Sequence, residues 1–157
     1  MRKLFLIINL LIMIFIPSVT FGNVIDKLNE VGKFTKLNET LVKSGLNEDL
    51  KSNGPFTVFA PLDDAFAAIS AKTYYGLLNE DNKDKLIKIL GRHVFSKKIT
   101  SSEINSEINL KAINGEEIKI KKVNGILYIN EAEVVTADVE VSNGVIHFIN
   151  RVLQPLN

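Results

Sequence analysis

The chain has 157 residues, of which 24% are charged, with a formal net charge of +1 and no Cys. That length suits one domain, and so balanced a charge, without long like-charge runs, gives no attraction for nucleic acid or an anionic membrane surface. The absence of Cys excludes disulfides, thiol catalysis and thiolate metal sites.

Met1-Arg2-Lys3 is a basic lead, Leu4–Ile16 is an apolar run closed by Pro17, and Thr20 and Gly22 are small residues spaced as a cleavage site requires. This pattern reads as a secretory signal peptide over residues 1–22, leaving a single domain over 23–157. An uncleaved anchor would need about 20 apolar residues to span a bilayer, more than this run supplies. Cleavage takes Arg2 and Lys3 away, so 19 basic residues become 17 against 18 acidic ones. Without a Cys behind the leader there is no lipid anchor, and no stable membrane insertion is expected after cleavage. The frequent Asn, Lys and Ile residues fit an AT-rich, bacterial type of genome.

From Asn23 the pattern is helical: Val24, Ile25 and Leu28 share a face and Gly32 breaks the run. Phe34, Leu37, Leu41 and Val42 predict a second amphipathic helix stopped by Gly45, and Leu46 and Leu50 one further turn. Asn53-Gly54-Pro55 forces a turn. Phe56-Thr57-Val58-Phe59-Ala60 is then almost wholly apolar, the pattern of a strand covered on both faces, and Pro61 ends it. Phe66 and Ile69 return to helical spacing, with Asp63 or Asp64 expected to cap that helix. A short helix follows at Thr73–Leu78 with Tyr74 inward. A firmer one runs from Lys83 to Leu90, with Gly91 expected as its left-handed cap. Arg92-His93-Val94-Phe95 reads as extended.

Beyond Ile108 the apolar residues alternate. Asn-Gly pairs at 114–115, 124–125 and 143–144 predict three two-residue type I′ turns, each with both central residues at positive φ, and hence an antiparallel meander. Helices before and strands after give an α+β class. The two most apolar strands, around Val58-Phe59 and Ile146-Phe148, are expected to be neighbours. His147 should then give its ring nitrogens to backbone or to the hydroxyls of Thr57 or Ser142.

The segment Thr57-Val58-Phe59-Ala60-Pro61, with Asp63 and Phe66 behind it, resembles the first signature of the fasciclin domain, an extracellular adhesion module. Ser142–Pro155, which contains Asn143, Gly144, His147 and Pro155, resembles the second. The resemblance implies a fasciclin-like wedge of two small β-sheets with helices packed alongside, in which the signature residues, with His93, are structural. It also implies a secreted binding module that meets a protein or glycan at a cell surface or matrix. The family usually carries Tyr-His where this chain has Arg92-His93; integrin binding by eukaryotic members is ascribed partly to that region, so the departure bears on that activity.

The chemical inventory points the same way. His93 and His147 are the two imidazoles, and both sit within apolar runs, where a neutral, hydrogen-bonded core histidine is expected. Asp63 and Asp64 are adjacent at a helix start and point apart, so they suit capping better than acid–base work. No enzyme, cofactor or metal site emerges. The alternative is a periplasmic small-ligand carrier or enzyme using a pocket near His93 or His147. A polar cavity holding both rings would favour it.

Overall fold

The computed structural model describes residues 21–154; most of the expected leader, and Pro155, lie outside them. Helix α1 (Val24–Val31) starts at Asn23, whose side chain accepts from the Asp26 N–H while Asp26 accepts from the Asn23 N–H, and it ends on left-handed Gly32. Such a reciprocal pair satisfies two of the amide groups a helix start leaves open. Helices α2 (Thr35–Ser44) and α3 (Leu46–Asp49) follow, hinged at left-handed Gly45. Leu37 and Leu41 are buried as their spacing requires. Val42 is not: it is 63% exposed and lies outside the inward face.

Strand β1 (Phe56–Pro61) is buried from Thr57 onward. Behind it Asp63–Ala68 forms a 3-10 helix rather than an α-helix, and neither aspartate caps it. Asp63 instead accepts from the Lys36 N–H at 2.9 Å, capping α2 from across the fold. Helices α4 (Ala71–Leu77) and α5 (Lys83–Gly91) complete the helical layer. Gly91 is the last residue of α5, and the right-handed Arg92 caps it. The glycine is there for space: a Cβ on Gly91 would stand 2.8 Å from the Asn114 Cβ. Extended structure begins only at β2 (Val94–Phe95), with Arg92 and His93 forming the turn into it.

The other strands are β3 (Ile108–Lys111), β4 (Glu117–Val123), β5 (Ile126–Ile129), β6 (Ala132–Val141) and β7 (Gly144–Ile149). Their order is β2-β1-β7-β6-β5-β4-β3. The expected meander accounts for β3 to β7, but the sheet as a whole is mixed because β1 and β7 are parallel. The ten-residue β6 belongs to both ends of the sheet. It pairs with β5 at its start and with β7 along its length, with register shifts between Val134 and Thr136 and between Thr136 and Val139. Such irregularities bend a strand and let one sheet turn into two packed surfaces.

Two cores result. Val58, Ala60 and Ile146 face the helices, among Leu28, Phe34, Leu37, Leu86 and Leu90. Phe59 faces the other way, into Phe95, Ile104, Ile120, Ile129 and Ile149. Successive side chains of a strand alternate faces, so β1 is apolar but for Thr57 because both of its faces are cores.

The Asn-Gly turns divide by geometry. Asn124 and Gly125 have φ values of 51° and 80°, as a type I′ turn requires. At the first pair only Gly115 is left-handed, at 89°, and its N–H closes a turn on the Ala112 carbonyl, giving a longer loop. At the third pair the loop is Ser142-Asn143. Gly144 already opens β7, opposite Phe56 of β1 and Val141 of β6.

Candidate functional site

The two signature segments meet where β1 and β7 lie side by side, with Phe59 aligned on His147 and Val58 on Ile146. Asn143 ties the lower end of this pair to the helices. Its Oδ1 accepts from the Val24 N–H at 3.0 Å, and its Nδ2 donates to the carbonyls of Leu50 and Ser52 at 2.8 and 2.7 Å. Its own carbonyl accepts from the Phe56 N–H at 2.8 Å. One buried residue thereby holds the start of α1 and the end of the α3 region through its side chain, and the start of β1 through its backbone.

His147 is fully buried and stacked on Phe59, with ring centroids 4.9 Å apart. Its partners are backbone groups, but neither Thr57 nor Ser142. Nδ1 accepts from the Asp138 N–H at 3.1 Å, which leaves Nε2 to donate to the Ile99 carbonyl at 2.7 Å. Thr57 serves the same segment from β1: its hydroxyl donates to the Lys97 carbonyl and accepts from the Ile99 N–H. Asp138, at φ 61°, in turn accepts from the Ser101 N–H and hydroxyl, and Lys122 donates to the Ser101 carbonyl at 2.6 Å. The connection from Lys97 to Ser101 is thus strapped across the sheet by β1, β4, β6 and β7. Sequence reading misses this strap, because Asp138 and Ser101 are ordinary surface residue types and their partners are 37 positions apart.

His93 has the opposite tautomer. Nδ1 donates to the Ile89 carbonyl at 2.9 Å and Nε2 accepts from the Leu153 N–H at 2.9 Å, pinning the C-terminal segment to the end of α5. Beside it Arg92 is 9% exposed and pairs through Nη2 with Glu116 Oε2 at 2.6 Å. Its buried Nη1 has no hydrogen-bond partner among the described residues. Phe66 packs edge-on against Tyr74, with centroids 5.8 Å apart. No described cavity is lined by both histidines. Every ring nitrogen of the pair is engaged by backbone, so neither imidazole is placed to serve as base, nucleophile partner or ligand.

Burial holds the His93 imidazole down to about 4, reinforced by the Arg92 charge and opposed by the bond to Ile89. Burial also lowers His147, against the raising effects of the Ile99 bond and the charges of Asp138 and Glu140. An unfolded histidine titrates near 6.5, so between that value and the folded one the unfolded chain binds more protons. The stability that the buried neutral His93 contributes is therefore complete above about pH 6.5 and is lost as pH falls towards 4, and His147 acts in the same direction. His93 accounts for about 3 kcal/mol of this loss at 1.36 kcal/mol per unit. Urea unfolding between pH 7.5 and 4 should show the decline, and His93→Gln should flatten it. An unchanged slope in that variant would contradict the assignment.

The family model described as "Fasciclin domain" matches residues 32–155. Protein sll1483 of Synechocystis sp. is 45% identical over 122 residues, covering 78% of this chain and 67% of that protein. The transforming growth factor-beta-induced protein ig-h3 of Sus scrofa is 34% identical over 134 residues, 85% of this chain, but the chain spans only 19% of its length. Among solved structures, a FAS1 domain pair from the insect cell adhesion molecule fasciclin I superimposes with a TM-score of 0.75. The match has 22% identity and covers 87% of this chain and 52% of that one.

Proposed function

The chain belongs to the fasciclin domain family, and from that premise we propose that it is an exported, non-catalytic binding module. It mediates contact with a protein or glycan at a cell surface or matrix. The observation that carries this reading is the family match over residues 32–155, which includes both signature strands. Engagement of all four imidazole nitrogens by backbone groups supports a structural rather than chemical role for the signature residues. Fasciclin I is described as an insect cell adhesion molecule, and adhesion is carried over from it here as part of the proposal. In the described residues no helix is long and apolar enough to cross a membrane.

The test is direct. Beads coated with the domain should retain cells or matrix from the producing organism's surroundings above uncoated beads, and pull-down from envelope and host-surface extracts should return a partner. Retention equal to that of uncoated beads would count against adhesion.

Export is part of the same proposal. Cleavage after Gly22 would make Asn23, the N-cap of α1, the first residue, with its new ammonium beside Asp26. The intact mass of protein from the envelope or medium should correspond to a chain starting at Asn23. A species keeping Met1–Gly22 would mean a retained anchor.

A further inference from the structure

Between the helical layer and the C-terminal segment lies a cavity of about 190 Å³. Its walls are Phe66 and Ile69 behind β1, Leu77 of α4, and Leu86, Ile89 and Leu90 of α5. The polar groups that reach it are spent elsewhere. The Thr40 hydroxyl donates to the Leu37 carbonyl, the Tyr74 hydroxyl to Glu39, and both nitrogens of His93 face backbone partners. The Thr73 hydroxyl is paired with that of Ser70. Among the described residues the buried side-chain donors of the lining are thus already partnered, while the hydroxyl oxygens of Thr40 and Tyr74 keep acceptor lone pairs. Thr73, Lys85 and Gln154 are the exposed residues of the lining and mark its mouth.

Protein interiors pack to the density of organic crystals; this space is lined mostly by apolar side chains and opens to solvent at one end. An apolar cavity of about 150 Å³ with no polar lining stays dry and takes up benzene. This one is larger and has a cation and an amide at its opening. We infer that it is a binding site for a short apolar molecule, a single substituted aromatic ring or a chain of similar bulk, whose anionic end rests at the mouth beside Lys85 and Gln154. The site lies within one domain and is independent of the adhesion reading: the surface could bind its partner with the cavity filled or empty.

Toluene and 4-methylbenzoate are suitable probes, titrated into the isotope-labelled domain and followed by NMR. Saturable shifts are expected at the resonances of Phe66, Leu86, Ile89 and Leu90 with both compounds. Ile89→Trp, which fills the space from α5, should weaken both at least tenfold, and Leu77→Phe serves the same purpose from α4 should the first variant not fold. Lys85→Glu should weaken 4-methylbenzoate several-fold and leave toluene unchanged. Absence of saturable shifts at these residues, or binding undiminished in the folded filled variants, overturns the site. Equal affinity of the Lys85→Glu variant for 4-methylbenzoate overturns the orientation assigned to its anionic end.

Discussion

Gly144→Val is expected to leave little or no folded protein. A Cβ at this position would stand 1.8 Å from the carbonyl oxygen of Phe56 and 2.7 Å from its carbonyl carbon. Both obstacles are backbone, and neither strand can retreat. β1 is held by β7 on one side and β2 on the other, and the Phe56 N–H is bonded to Asn143. Relief therefore requires separating β1 from β7, which would open the contact on which both cores rest. A domain stable by about 5–15 kcal/mol cannot sustain that loss. Valine adds bulk, but alanine already meets the clash, so Gly144→Ala should be severely destabilised too. Gly115→Val and Gly125→Val are the comparison. A Cβ at either meets nothing within 4 Å, and the cost is that of a left-handed backbone alone, about 1–2 kcal/mol. Circular dichroism and melting temperatures of the four variants decide the matter. A Gly144→Ala domain that melts like the wild type would refute the close approach of these strands.

The same glycine shows how a sequence-level expectation can be right in its consequence and wrong in its cause. The Asn-Gly pair suggests a type I′ turn, and the importance of Gly144 follows from that suggestion. In the structure Asn143 is not left-handed, and Gly144 matters because another strand passes over it. Features carried by local pattern were legible. The apolar run of β1 announces burial on both faces, Gly32 and Gly45 end helices as left-handed residues, and Asn124-Gly125 makes the turn its composition implies. Features that depend on distant partners were not. Asp63 lies at the start of its own helix in sequence but caps α2, 27 positions away. Gly91 has the spacing of a cap but makes room for Asn114. Asn143 gathers backbone groups 91 to 119 positions away, which no window along the chain can foresee. The small apolar cavity belongs to this second class, since its walls come from separate elements and a helix face looks the same whether its neighbour fills the space or leaves it.

The second large effect is expected at Phe59, where the two signature segments touch. Its ring is fully buried, edge-on to Phe95 at 5.7 Å and stacked on His147 at 4.9 Å. Phe59→Ala removes a ring from the centre of the second core and should cost about 3–5 kcal/mol through the cavity it leaves. His147→Ala should cost about 1–3 kcal/mol, because it strands the Asp138 N–H and the Ile99 carbonyl, both tied to the strap across the sheet. The two costs should not add. Each variant removes the Phe59–His147 stack, so the double variant should be less damaging than the sum by about 0.5–1.5 kcal/mol, the worth of a close aromatic pair. Urea unfolding of the four proteins closes this cycle, and full additivity would show that the rings are neighbours without being energetic partners. Binding to beads or cells supplies the second readout. A folded His147→Ala domain should still adhere, since the imidazole faces backbone on both sides. A domain of unchanged stability that had lost adhesion would instead make His147 a working residue, and the non-catalytic reading would give way to one in which this ring meets a ligand.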